Sequence, residues 1–124
     1  MPKPFSLSLS NAIDATMENA VLLYQAGCTN LFADIIEKTP VLTGFARSAW
    51  WQNVGAVGTG NIPKQGMGAY SAPSLSPLQI KSLADKVFLA NGAEYIELLE
   101  FGHSKKAPQG MVRVTLADAE RYFT

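Results

Sequence analysis

The chain has 124 residues, and its ten lysines and arginines are balanced by ten aspartates and glutamates. A chain of this length forms one domain with its own core, and its neutral charge argues against a free-standing DNA-binding protein, because little attraction to phosphate is available. Hydrophobic residues make up 48% of the chain, so apolar side chains are expected either in a well-filled core or against a partner subunit.

The N-terminal third of the chain predicts a short arm followed by a long helix. Residues 1–9 contain two prolines and alternating serines, which favours an extended arm outside a single domain over residues 10–124. Apolar residues then recur every three or four positions from Ile13 to Ile35, which predicts one buried stripe on a helix over about 11–38. A helix this long is expected to overhang the domain or to span one face of a sheet. Gly27 marks a weak point in it, or else a bend or a close contact.

The next segment predicts a strand and a long loop. Residues 45–57 are rich in aromatic residues and valine, which is typical of a strand. Trp50 and Trp51 then point to opposite faces of the sheet, so one enters the core and the other meets a covering element or a partner subunit. Arg47 precedes this pair and is suited to a bidentate salt bridge across an interface. Residues 58–77, with four glycines and three prolines, predict the loop.

The second half of the chain predicts several short elements. In order, these are a helix over 76–85, a strand over 86–90, a turn at Asn91-Gly92, a helix that ends at Gly102, a basic loop over 103–110 and a final helix within 111–123. Together the elements predict an α+β fold, in which one long N-terminal helix packs on a small, mostly antiparallel sheet and short helices follow toward the C-terminus.

Few side chains in the sequence indicate chemistry. His103 is the only histidine, and the only cysteine, Cys28, falls on the apolar face of the long helix, where a thiolate is disfavoured. Glu94, Glu97 and Glu100 recur every three residues, which is typical of a solvated helix face; acid–base work beside His103 or a cation site is the alternative. We therefore expect no catalytic, cofactor-binding or metal-binding residues.

The charged residues near the C-terminus predict a contact surface instead. Glu97 and Glu100 could meet Lys105 and Lys106 of an adjacent subunit. Charges at the rim of an interface set the register of the subunits and the choice of partner. The same two lysines make only a thin footprint for DNA phosphates. The residues predicted at a subunit interface are Arg47, Trp51, Glu97, Glu100, His103, Lys105, Lys106 and Arg113.

Three motifs follow the long helix in a fixed order. They are Thr-Pro-Val-Leu-Thr-Gly-Phe-Ala-Arg-Ser-Ala-Trp over 39–50, Tyr-Ile-Glu-Leu-Leu-Glu-Phe-Gly over 95–102, and Ala-Pro-Gln-Gly-Met over 107–111. In order and spacing they resemble the small neck and tail-completion (head–tail joining) proteins of tailed bacteriophages. The long Gly/Pro loop after the first strand departs from that pattern, which leaves open which ring the chain forms.

The resemblance implies a structural virion protein and not an enzyme. It implies a homo-oligomeric ring at the head–tail junction, whose partners are copies of the chain, the head connector and the tail tube or tail terminator, with DNA passing through the channel without sequence-specific binding. A tail terminator that caps the tail tube is the alternative, and a small enzyme using His103 with nearby glutamates is the alternative from another class. No apolar run long enough for a secretory signal or a membrane span is present, so we expect a virion protein assembled in the bacterial cytoplasm.

Overall fold

The structure is a computed structural model that describes residues 5–41, 44–60, 73, 75, 78–102 and 104–124. In chain order the elements are α1 (Phe5–Lys38), α2 (Phe45–Ser48), β1 (Trp50–Val54), β2 (Val87–Asn91), α3 (Ile96–Glu100), α4 (Val112–Leu116) and a 3₁₀ helix (Ala119–Tyr122). The long N-terminal helix, the two-stranded antiparallel sheet and the short C-terminal helices confirm the predicted α+β fold.

Helix α1 begins earlier than the sequence pattern predicted. Residues 5–9 are helical and not extended, so the predicted arm over 1–9 is wrong for this part, and residues 1–4 lie outside the described residues. The reason is that no proline or glycine occurs between Phe5 and Gly27, so nothing stops the helix from continuing toward the N-terminus. The predicted end is confirmed at Lys38, two residues before Pro40.

The hydrophobic core lies around the second half of α1. Met111 is fully buried beneath it, and Trp50 of β1 reaches it from the sheet. Leu78 and Ile80, which precede β2, are buried on either side of the exposed Gln79. The buried members of this cluster are Cys28, Leu31, Phe32, Ile35, Ile36, Trp50, Leu78, Ile80, Ala107 and Met111.

Gly27 is a close-contact position, which was one of the two alternatives for it. A Cβ atom at Gly27 would lie 2.3 Å from Cε1 of Phe123 and 2.7 Å from the backbone oxygen of Tyr122. The missing side chain therefore lets the C-terminal segment approach α1. Tyr122 also donates a hydrogen bond to the carboxylate of Asp34, which fixes this approach further along the helix.

We expect Gly27→Ala to destabilise the domain. Alanine gains about 1 kcal/mol of helix propensity, but overpacking a tight contact costs about 1–3 kcal/mol, and the backbone oxygen of Tyr122 cannot rotate away. The net loss should appear as a lower midpoint in thermal and urea unfolding. Replacing the exposed Asn19 by alanine is the matched control, because it gains propensity without a clash. A rise in stability for Gly27→Ala equal to that of the control would contradict the close contact.

The predicted strand over 45–57 is wrong at both ends. Residues Phe45–Ser48 form a helical turn, α2, and only Trp50–Val54 is a strand. Gly44 has a φ of 90°, and the Ser48 amide and hydroxyl donate to the backbone oxygens of Gly44 and Phe45, at 2.9 and 2.8 Å, which closes the turn. Local hydrogen bonds thus override the β propensity of the aromatic residues here.

Strand β1 pairs with β2 in antiparallel register. Trp50 lies opposite Asn91 and Val54 opposite Val87, which confirms the strand predicted over 86–90. The side chain of Asn91 donates to the backbone oxygen of Ala46 at 2.7 Å and accepts from the amide of Ala93 at 2.8 Å. The chain therefore turns away after Asn91 without forming another hairpin.

The predicted helix over 76–85 is not present in its described part, residues 78–85. The carboxylate of Asp85 accepts hydrogen bonds from the amides of Lys81 and Ser82, at 2.8 and 3.2 Å, and holds a turn in place of a helix. Most of the predicted loop over 58–77 lies outside the described residues. The helix ending at Gly102, whose φ is 88°, and the final helix within 111–123 are confirmed by α3 and α4.

Candidate functional site

The first half of α1 presents apolar side chains to solvent. Leu9, Ile13 and Met17 are 63, 54 and 48% exposed. Steps of four residues place them on one helix face, which continues into the buried face that contains Tyr24 and Cys28. We call these three residues the exposed stripe. The predicted overhang of the helix is thus present, but the prediction that the whole stripe from Ile13 is buried is wrong for its first two turns.

Two acidic side chains and one basic side chain lie beside the exposed stripe. From residue 5 to residue 33 the only charged side chains are those of Asp14 and Glu18. Both line a groove of about 570 Å³ between α1 and the turn at Lys81–Leu83, and Lys81 lines the same groove. Leu83 is 47% exposed at its edge, so apolar surface extends from the helix onto the neighbouring turn.

A basic cleft lies at the other end of α1. Arg47 donates from Nη2 to the backbone oxygens of Glu37 and Thr39, at 2.7 and 3.1 Å, and Lys106 donates from Nζ to the backbone oxygen of Val41 at 2.7 Å. Cations are favoured at a helix C-terminus because its carbonyl groups carry partial negative charge. Arg47 and Lys106, both predicted at a subunit interface, therefore bind the C-terminal end of α1 in their own chain. Because backbone carbonyl groups have no net charge, these hydrogen bonds do not neutralise the two positive charges.

The cleft is roomy and positively charged. It has a volume of about 640 Å³, and Lys38 is its third cation, donating from Nζ to Oγ1 of Thr115 at 3.0 Å. Among the described residues, Glu37 is the only acid that lines it. The residues that line the basic cleft are Glu37, Lys38, Thr39, Pro40, Val41, Arg47, Lys106, Ala107, Pro108, Gln109, Gly110 and Val114.

An apolar groove of about 460 Å³ adjoins the basic cleft and shares three of its residues, Pro108, Gln109 and Val114. Phe101 is 65% exposed there, and Val114 is 37% exposed. The guanidinium of Arg113 lies over the Phe101 ring, 5.0 Å from its centroid. The basic cleft and the apolar groove together form what we call the C-terminal surface. The sequence analysis did not predict a role for Phe101 or Val114, although a phenylalanine directly before a helix-ending glycine was a usable signal.

Glu100 has a structural position that the sequence did not reveal. Its carboxylate accepts hydrogen bonds from the amides of Met111, Val112 and Arg113, at 2.9, 2.8 and 2.9 Å, and from Nε of Arg113 at 3.2 Å. It therefore caps the N-terminus of α4 across the loop, where anions are favoured. The structure brings the predicted residues Glu100 and Arg113 together, within one chain. Gly110, with a φ of 83°, makes room for this cap.

The electrostatics of Glu100 follow from this cap. Burial alone raises the pKa of its carboxyl group, but hydrogen bonds from the amides of Arg113, Val112 and Met111 and from the Arg113 side chain outweigh burial and lower the pKa below its usual value of 4.5. Its side chain is only 15% exposed. Glu100 is therefore an anion bound by its own chain and is not poised for proton transfer.

The other predicted site residues are dispersed. Glu97 and Lys105 are exposed on the surface, and His103 lies outside the described residues. Trp50 is buried and donates from Nε1 to Oγ1 of Thr39 at 2.9 Å, which confirms that one tryptophan enters the core. Trp51 is half-buried, and its Nε1 donates to the backbone oxygen of Val57 at 3.0 Å. Its ring is thus covered in part by its own chain.

Two further titratable side chains, Cys28 and Tyr24, belong to the core. Burial raises the pKa of the Cys28 thiol, which keeps it protonated and agrees with its predicted apolar position. The hydroxyl of Tyr24 donates to the backbone oxygen of Asp85 at 2.7 Å. Within the described residues, no group of three or more histidine, cysteine, aspartate or glutamate side chains is arranged to hold a metal ion. Nor does any helix in the described ranges have the length and apolar character to cross a membrane.

Comparison of the chain with protein-family models, with curated proteins and with solved structures found no match.

Proposed function

We propose that the chain is a structural protein of a tailed bacteriophage virion, a ring-forming neck or tail-completion subunit that surrounds the DNA channel at the head–tail junction. The three ordered motifs in the sequence support the phage assignment. The observation that carries the assembly role is the exposed stripe of α1. Three large apolar side chains about half exposed on one helix face are typical of a surface that a partner covers.

The described surfaces suit a subunit that works by shape and contact. The exposed stripe lies directly N-terminal to the part of α1 that packs in the core. Residues 24–38 of the helix therefore stabilise the monomer, and residues 9–17 are free to contact a neighbour. Glu100, a candidate in the alternative enzyme hypothesis, is committed to capping α4. The neutral net charge agrees with a channel protein that lets DNA pass without holding it.

The proposal is tested by interrupting the gene in the phage genome that carries it. A neck or tail-completion role predicts separate heads and tails in lysates, seen by negative-stain electron microscopy, and joined particles when the intact gene is supplied in trans. Loss of a tail terminator would instead give tails of altered length. Normal infectious particles from the interrupted genome would contradict both roles.

A further inference from the structure

We propose that the exposed stripe of one copy docks on the C-terminal surface of the next copy, an inference that rests on the proposed ring-forming function. The stripe consists of Leu9, Ile13 and Met17, and the receiving surface is the apolar groove together with the basic cleft. The occupant of both surfaces is therefore a second copy of this chain.

The charges favour this pairing. Asp14 and Glu18 flank the stripe and share its groove with one cation, Lys81, whereas three cations and one acid are among the described residues that line the basic cleft. Docking the one on the other places opposite charges around an apolar centre, which is the arrangement found in specific interfaces. The excess of acid beside the stripe and the excess of base in the cleft make the two surfaces complementary.

The same charges disfavour the simplest alternative, in which two stripes pair about a two-fold axis. A two-fold contact uses the same patch on both copies, so Asp14 and Glu18 would face their own counterparts and repel. Contacts between two different patches continue from copy to copy and produce a closed ring when the rotation closes. A contact between two different patches is thus compatible with the ring that the proposed function requires.

Cysteine cross-linking distinguishes the possible occupants. Met17 and Val114 are both exposed, one on the stripe and one on the C-terminal surface, and Cys28 is buried. In the doubly substituted Met17→Cys, Val114→Cys protein, oxidation should give a ladder of covalent species that extends beyond dimers. Each single variant should stay monomeric on a non-reducing gel. Covalent dimers from Met17→Cys alone would show that stripes pair with each other and would overturn the inference.

Charge substitutions give a second, independent readout. Met17→Asp should raise the concentration at which half of the protein is assembled by about tenfold or more, because a buried apolar contact at an interface centre is replaced by a charge. Asn19→Asp is the matched control, since it adds the same charge at an exposed position on the opposite face of the helix, about 200° around the axis from Met17. We expect the control to assemble like the unmodified chain, with unchanged circular dichroism for both variants.

A charge reversal tests the pairing of the two surfaces. Glu18→Lys and Lys106→Glu should each weaken assembly, and the two together on one chain should restore it, because the opposite charges meet again with exchanged sides. If the unmodified chain forms rings and neither reversal affects their assembly, the inferred docking is wrong while the proposed function still stands. A chain that remains monomeric at every concentration and is missing from the virion would instead remove the proposed function itself.

Discussion

Replacing Glu100 by alanine should lower the free energy of unfolding by about 2–3 kcal/mol, since three backbone amides and the Arg113 side chain lose a charged acceptor. No other side chain in the described part of the structure caps the five-residue helix α4. Urea unfolding followed by circular dichroism measures the change. Glu97→Ala is the control, because Glu97 is exposed and its loss should cost less than about 0.5 kcal/mol. Equal stability of the two variants would show that the cap does not contribute.

The cap also makes stability depend on pH. Because the folded pKa of Glu100 lies below the usual 4.5, the folded state binds this proton less readily than the unfolded state. Its stabilising contribution is therefore complete above about pH 5 and is lost as the pH falls through the folded pKa. Glu100→Gln should lose this part of the pH dependence and show a flatter stability profile below pH 5. A profile parallel to that of the unmodified chain would contradict the lowered pKa.

This position changes what a charge reversal at Glu100 reports. Glu100→Lys should destabilise the isolated fold, because the substitution places a cation against the N-terminus of α4 and beside Arg113. The reversal at the exposed Glu18 probes assembly without this loss of the fold.

Replacing Trp50 by alanine should cost about 3–5 kcal/mol, the range for removing a buried aromatic side chain from a core. Trp50 is 7% exposed and packs within the main cluster beneath α1. A small domain has only about 5–15 kcal/mol of total stability, so much of the variant should be unfolded at moderate urea concentrations. Trp51→Ala is the control, since the neighbouring tryptophan is only half-buried and should cost well under half as much. Similar losses for the two variants would contradict the assigned strand faces.

Trp50→Phe separates packing from hydrogen bonding. Phenylalanine keeps most of the apolar area but cannot donate to Oγ1 of Thr39, which in turn donates to the backbone oxygen of Ile35 at 2.9 Å. We expect an additional cost of about 1 kcal/mol from the lost donor. Thr39→Val together with Trp50→Phe should not recover this cost, because the backbone oxygen of Ile35 then loses the Thr39 hydroxyl that donates to it.

The sequence predicts the elements whose signals are local and strong. The end of α1 before Pro40, the strand that became β2 and the stop at Gly102 follow from proline geometry, a short apolar run and glycine. The strand expected from Phe45 failed because the turn at Gly44 is set by its own hydrogen bonds, which a count of aromatic residues does not register. The helix expected before Asp85 failed for a similar reason, since that carboxylate caps a turn.

The candidate site was harder to predict because it depends on contacts distant in sequence. Glu100 and Arg113 were both selected as charged interface residues, but only the fold shows that they bind each other across a loop. Arg47 and Lys106 were selected for a partner and lie against the end of α1. The periodicity of α1 identified the apolar face without showing where the domain stops covering it, so the exposed stripe required the structure.

A reconstruction of the head–tail junction by electron cryomicroscopy tests the central claim most directly. The proposed function predicts copies of this chain in a closed ring around the DNA channel, with residues 9–17 of each copy buried against the neighbour that presents Phe101 and Val114. A particle whose junction contains no copy of the chain, or a ring in which the exposed stripe of α1 faces solvent, would contradict it.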